Sequence, residues 1–331
     1  MMDMITLIYL DGLSGINYHR ILTPFIRLKE EQGVNTHYFD NFNELKNWDL
    51  TKVSNLVISR RCSVSNHNEF KSFLKKNNIK LILDNDDFWD IPKDNPARPH
   101  YEKVEKKNIL GTINIADEIW TPSEYLGSRM KKINPKVKIR VVPNTLYQKE
   151  KQWVDQDKDP NPKGLVRFGY LGANGHSEDL KTMGMTFEDH ELYCMALGTW
   201  NDKGISYVDF LKAKHKLLPL EPHEYGALYK KFDVSLAPLL DSKFNRCKSE
   251  LKVVEAGFTK TAIIASNVRP YKQAIINGKT GILCSSPGEW REAIKTMTIE
   301  RAEDLANNLY EHCVKEYDLH TINKTRIEGL G

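Results

Sequence analysis

Cysteine is scarce and unpaired in this chain of 331 residues. The five cysteines (Cys62, Cys194, Cys247, Cys284, Cys313) are odd in number, widely spaced and never set as C-x-x-C. That usage argues against a zinc knuckle or a disulfide scaffold and implies reduced thiols in a cytoplasmic protein. Long hydrophobic runs are missing too. The longest, such as Thr261-Ala262-Ile263-Ile264-Ala265, are strand-sized, well short of the roughly 18–20 apolar residues of a membrane span, so no integral membrane association is expected. The N-terminus is apolar at Ile5–Leu10, but Asp11 and Gly12 follow with no basic leader. It reads as a first strand, not a signal peptide. Charge of one sign is also weak: 48 Lys and Arg face 44 Asp and Glu, a net +4. No internal repeat or low-complexity tract appears, and no G-x-G-x-x-G with an acidic residue about 20 positions on, which excludes the dehydrogenase fingerprint.

What is present is an alternation. A hydrophobic content of 40% with 28% charged residues suits a soluble globular chain, and the length fits two domains of about 150 residues. Apolar, β-branched runs at Ile5–Leu10, Thr36–Phe39, Asn55–Ser59, Leu81–Leu83, Glu118–Trp120 and Ile139–Val142 predict strands. Amphipathic segments His19–Gln32, Asn68–Lys76, His100–Ala116 and Ser123–Lys132 predict helices between them. Strand and helix at this spacing imply a parallel sheet covered on both faces. Residues 148–163 are polar, carry two prolines and lack periodicity, which marks a linker. Alternation restarts with strands at Val166–Leu171, Leu192–Leu197, Val234–Ala237, Ala262–Ala265 and Gly281–Cys284. The expected division is 1–147, linker 148–163, 164–310, and a terminal helix 311–331 packing back on the first domain.

Four segments carry candidate chemistry. In Cys247-Lys248-Ser249-Glu250-Leu251-Lys252-Val253-Val254-Glu255, Lys248, Lys252 and Glu255 stand at i, i+4 and i+7. One helix would set them on one face. Two ammonium groups beside the N–H groups of a helix start make a pyrophosphate site, and a carboxylate one turn on would accept from ribose hydroxyls. An ordinary exposed charge pattern is the other reading. Gly169–Leu180 runs from a strand through Gly172-Ala173-Asn174-Gly175-His176 to Asp179, a turn whose glycine lets backbone approach a phosphate, or a tight turn whose histidine caps a helix. The corresponding first-half turn carries Gly12, Gly15, His19 and Arg20, at the first strand–helix junction where α/β sheets bind ligands. Leu81–Asp90 ends an apolar strand in Asp84, Asp86 and Asp87, followed by Trp89. Carboxylates so crowded repel one another, so they either hold acceptor hydroxyls or Arg20 in a cleft, or form a structural network.

These segments together resemble the donor-binding region of retaining GT-B glycosyltransferases, the glycogen-synthase-like group. The KSxLKxxE stretch at Lys248–Glu255, Phe232–Leu239, Ala262–Ser266, Tyr271, Asn277–Gly281, Trp290 and Val141-Val142-Pro143-Asn144 carry the likeness from residue 5 to about 315. One departure stands out: Cys247 occupies the position of the group's first glutamate. The resemblance implies a two-domain GT-B fold and sugar transfer with retention from a nucleotide-sugar, a UDP-sugar in the first instance. Gly12, Gly15, Gly172, Ala173, His176, Asp179, Lys248, Ser249, Lys252 and Glu255 are expected on the donor. His19, Arg20, Asp84, Asp86, Asp87, Lys248 and Lys252 are expected at the reacting centre. No cofactor or metal is expected, because cations and amides neutralise the diphosphate; the D-x-D at Asp84–Asp86 is not taken as the cation site of GT-A enzymes.

Charge and resemblance together bear on the acceptor. Residues 1–150 carry 23 Lys and Arg against 19 Asp and Glu, so the whole positive excess lies in the acceptor half. Clusters at Arg60-Arg61, Lys75-Lys76, Lys106-Lys107 and Lys131–Arg140 are either solvated helix faces or a polyanion-facing surface. Similarity to tailed-phage enzymes that glycosylate their own DNA makes a hydroxylated base in duplex DNA the first expectation, flipped into the cleft. Arg20, Arg60, Arg61, Asp86, Asp87 and Trp89 would then contact the acceptor. A cell-envelope glycan is the alternative acceptor, and a nucleotide-binding protein without catalysis is the second alternative.

Overall fold

The structure is a computed structural model that describes residues 4–60, 63–92, 95, 98–154, 157–172, 175–196, 199–200 and 205–331. Two six-stranded parallel sheets form its two halves. The first uses β1 (Ile5–Tyr9), β2 (Thr36–Phe39), β3 (Val53–Ser59), β4 (Lys80–Asp84), β5 (Glu118–Thr121) and β6 (Lys138–Val141), in the order β2-β1-β3-β4-β5-β6. The second uses β7 (Arg167–Gly172), β8 (Glu191–Ala196), β11 (His215–Leu217), β12 (Val234–Ala237), β13 (Ala262–Ser266) and β14 (Ile282–Cys284), in the order β11-β8-β7-β12-β13-β14. A short antiparallel pair, β9 (Thr199–Trp200) and β10 (Ile205–Ser206), lies outside both sheets. Neither that pair nor β11 was legible in the sequence. His215-Lys216-Leu217 holds one apolar residue in three and is too short to signal a strand.

The sequence makes these sheets because successive strand residues point to opposite faces and both faces are buried. Leu7, Leu56, Leu81, Leu83 and Ile119 enter one core of the first half, while Ile8, Val57, Ile82 and Trp120 enter the core on its other face. The second half repeats this, with Phe168, Val234, Ala262 and Ile264 on one side and Leu171, Ala237, Ile263 and Ala265 on the other. That explains why the strands read as near-continuous apolar runs.

The segment after Val141 is packed rather than free. Trp153 sits in a one-turn helix, Lys151–Val154, and is buried in the second half's core. Lys158 Nζ donates to Tyr229 O, Thr259 O and Thr261 Oγ1, and burial lowers its pKa to about 7. At the other end, the helix Ile299–Glu316 lies against the helix Leu251–Phe258. Gly257 makes this approach possible, since a Cβ there would stand 2.3 Å from Cys313 Sγ. The chain then breaks at Tyr317 and Asp318, and a final helix, Leu319–Leu330, crosses to the first half. Its Ile322 joins the core beneath β1, and Arg326, fully buried, donates to Arg20 O and Asn323 Oδ1. No helix among the described residues is long and apolar enough to cross a membrane.

Candidate active site between the two sheets

In an open parallel sheet, ligands bind beyond the carboxyl ends of the strands, where the strand order reverses. In the second half that point lies between β7 and β12. The two strands pair only at Phe168–Val234 and Gly169–Ser235, so their carboxyl ends open into a crevice. A cavity of about 190 Å³ occupies it, walled by Tyr170–Gly172 from β7 and by Leu236–Leu239 from β12. Lys248, Ser249, Leu251 and Lys252 form another wall, and Asp86, Asp87 and Asn144 reach in from the first half.

The helix that supplies Lys252 begins only at Leu251, with Lys248 in the preceding turn. The expectation that Lys248, Lys252 and Glu255 share one helical face is therefore corrected. The chain bends between Cys247 and Glu250, and Arg269 holds that turn by donating to Arg246 O and Lys248 O. Bending brings Lys248 and Ser249 to the cavity together with the helix's first turn, whose leading N–H groups, before the Val253 N to Glu250 O bond, have no intrahelical acceptor. Lys248 Nζ stands 4.9 Å from the Phe244 ring. Lys252 Nζ bonds Glu255 Oε2 at 2.9 Å and Tyr225 OH at 2.8 Å. Burial alone would lower its pKa, but Glu255 and Tyr225 outweigh it, so Lys252 remains cationic.

Glu255 is buried, its carboxylate taking bonds from Tyr229 OH at 2.8 Å and from Lys252. It does not line the cavity, and its carboxylate holds Lys252 there. His176 and Gly172 line the cavity. Asp179 instead accepts from His176 Nδ1, Leu240 N and Asn245 Nδ2, tying the β7 and β12 loops together from behind. Gly12 and Gly15 are exposed and outside this cavity. Ala173 and Arg61 lie outside the described residues.

The first-half residues divide sharply. Arg20 is 2% exposed, and its Nε and Nη2 hold both oxygens of buried Asp84 at 2.6 and 2.9 Å. Its Nη1 donates to Val142 O and Asn144 Oδ1, and Asn144 Nδ2 donates to Ser249 Oγ at 2.6 Å. Arg20 and Asp84 are thus bound to each other and do not line the cavity; Arg20 holds Asn144, which holds the turn at Ser249. His19 is buried beside Trp153, with Nδ1 unpartnered and its pKa lowered to about 4 by burial. A neutral ring outside the cavity does not serve as an acid at neutral pH. Trp89 packs on Phe88 in the first core and is not exposed to an acceptor.

Asp86 and Asp87 are the carboxylates that face the cavity. Asp86 Oδ1 is buried without a partner, and burial followed by the Asp87 charge raises the Asp86 pKa to about 6. Asp87 lies 3.7 Å from Arg60, which also lines a neighbouring cavity. Among the described residues no three His, Cys, Asp or Glu side chains gather as a metal site needs. Cys247 packs in the cluster that holds Phe88, Phe244 and Trp89, and burial raises its pKa to about 11. The position therefore seals the two halves together instead of facing the cavity. Asn144 and Tyr225 went unassigned in the sequence; Asn144 was visible in Val-x-Pro-Asn, but nothing local marks Tyr225.

Neither a protein-family model nor a curated protein sequence matches this chain. Solved structures do. Sucrose-phosphate synthase from Thermosynechococcus elongatus superposes with a TM-score of 0.66 at 10% identity, over 98% of each chain. Anabaena HepE in complex with UDP-glucose gives 0.63 at 12% identity, over 99% of each. T4 phage β-glucosyltransferase gives 0.59 at 12% identity, over 98% of this chain and 99% of that one. The fold is GT-B. At these identities the likeness establishes that architecture, and the chemistry rests on the GT-B cleft's own residues.

Proposed function

We propose that the chain is a glycosyltransferase that moves a sugar from a nucleotide-sugar, in the first instance a UDP-sugar, to an acceptor hydroxyl. The observation that carries this reading is the convergence of Lys248, Ser249, Lys252 and a helix start on the crevice between β7 and β12. A diphosphate placed there meets cations and amide donors where leaving-group charge develops. The bond from the sugar C1 to the diphosphate oxygen breaks with its electron pair going to the diphosphate, and the acceptor oxygen bonds C1. Retention is the course implied by the resemblance at Lys248–Glu255. Asp86 is the group placed to hold the acceptor hydroxyl, and once ionised to receive its proton. An inverted product, read from the anomeric proton by NMR, would replace retention with a single displacement that uses Asp86 as base.

A cavity of about 190 Å³ is small beside pockets that enclose ligands whole, roughly 300–1,000 Å³. Donor entry on this reading requires the halves to part at the Asn144–Ser249 contact. Cys247 does not argue against catalysis, because the thiol packs away from the cavity.

Two acceptors are in play. A hydroxylated DNA base draws support from the fold likeness to a phage glucosyltransferase. The placement of charge favours a neutral glycan. Lys138 opens β6 at the end of the sheet away from the cleft and is paired with Glu118, and Arg140 is bound to Glu118 and Glu328. Lys75 lines a cavity at the start of β4, again remote from the strands' carboxyl ends. The experiment is UDP release from a panel of UDP-sugars, with and without acceptor, by wild type and Lys252→Ala. Absence of UDP binding would overturn the donor reading.

A further inference from the structure

Two more cavities lie in the first half beside the donor crevice. Asp87 of the donor cavity contacts Arg60, which lines a space of about 310 Å³ with Asp11, Ser63 and Glu105. Asp11, Ser63 and Asn108 are shared with a third space of about 690 Å³. All of this lies at the carboxyl ends of β1, β2 and β3, where the first sheet's strand order reverses. The third space is walled by an aromatic cluster. Tyr9 and Phe42 stand 4.0 Å apart between ring centroids, and Phe70 meets Phe42 edge-on at 5.3 Å. Asn43, Asn66 and Glu69 add amide and carboxylate groups around these rings.

Resting on the donor reading above, we infer that this path is an acceptor channel for a neutral oligosaccharide, with one ring over the Tyr9–Phe42–Phe70 cluster and a terminal hydroxyl beside Asp86. Aromatic faces are negative and attract the C–H face of a pyranose, while amides and carboxylates bond its hydroxyls. The charge along the path selects against a phosphodiester. Beyond the donor cavity, Asp11, Glu105 and Glu69 line it beside one guanidinium among the described residues, Arg60, which is itself paired with Asp87. A flipped base would stack on the same rings, but its flanking phosphates would meet carboxylates at the mouth. The two spaces in series favour at least a trisaccharide over a single sugar.

The test uses the full chain saturated with UDP. Methyl glucoside, methyl galactoside, maltotriose and cellotriose are read by saturation-transfer NMR, and a hydroxymethylated duplex oligonucleotide by fluorescence anisotropy across a salt series. A trisaccharide is expected to give the strongest signal. That signal should fall at least fivefold in Phe42→Ala and Phe70→Ala, with UDP affinity unchanged. Glu69→Lys, on an exposed side chain, should weaken the sugar and strengthen the oligonucleotide, with UDP affinity again unchanged. Silence from every sugar, or a signal intact in both phenylalanine variants, overturns the inference. Oligonucleotide binding with a steep salt slope and no sugar signal reassigns the channel to a flipped base. Failure of wild type to bind UDP would sink the donor reading instead, while the sugar signals still decide the channel.

Discussion

The two halves build their cavities at the same topological place and line them with opposite charge. At the β7–β12 switch point the wall is cationic, with Lys248 and Lys252 beside a helix start. At the carboxyl ends of β1 and β3 it is acidic and aromatic, with Asp11, Glu105 and Tyr9. Topology places a binding site in each sheet, and the lining decides what each takes. On the proposed reading, a diphosphate suits the second and is repelled by the first. Between them runs one relay, Asp84 to Arg20 to Asn144 to Ser249, which fixes the donor turn against the first half.

That relay gives the largest expected effect. Arg20→Met should cost about 3–5 kcal/mol, because Asp84 would be left charged and buried without its partner. Urea unfolding measures it, and a loss below about 1 kcal/mol would show that the relay does not brace the two halves. Lys252→Ala tests the cationic wall. Turnover should fall about 10²–10³-fold with donor affinity changed much less, since leaving-group charge grows toward the transition state. An unchanged turnover would move the diphosphate elsewhere.

His19, buried where the halves meet, tests the seam by pH. Its folded pKa of about 4 lies below the ordinary 6.5, so the unfolded chain takes up the proton first. Stability should be full above about pH 6.5 and fall by about 3 kcal/mol as pH drops toward 4. His19→Phe should flatten that part of the profile in urea melts at pH 7 and pH 5; equal slopes in both proteins would place the ring in water. Asp86 tests the acidic wall. Its pKa of about 6 predicts a rate that rises through pH 6 as the carboxylate ionises, and Asp86→Asn should erase that limb and lower turnover about 10²-fold. The smallest effect is expected from Lys131→Ala with Lys132→Ala, exposed at a helix end. Acceptor KM should not move, and a clear rise would restore a polyanion to the first half.

The alternation of strand and helix made both sheets legible, because strands that must bury two faces read as short continuous apolar runs. Eleven of the twelve sheet strands follow from it, and Thr36–Phe39 and Val234–Ala237 even in their ends. Lys248 and Lys252 were legible as a cation pair, since their spacing is local. Which face they share was not, because the chain turns between Cys247 and Glu250. Residue types by themselves determined that this chain would make two parallel sheets and that cations would gather near residue 250. Only the tertiary structure decided which of Asp84, Asp86 and Asp87 is spent on Arg20, that Glu255 serves Lys252, and that Cys247 seals a seam. A carboxylate's role depends on which cation reaches it across more than sixty residues of chain, as Arg20 reaches Asp84, and no local pattern encodes that distance.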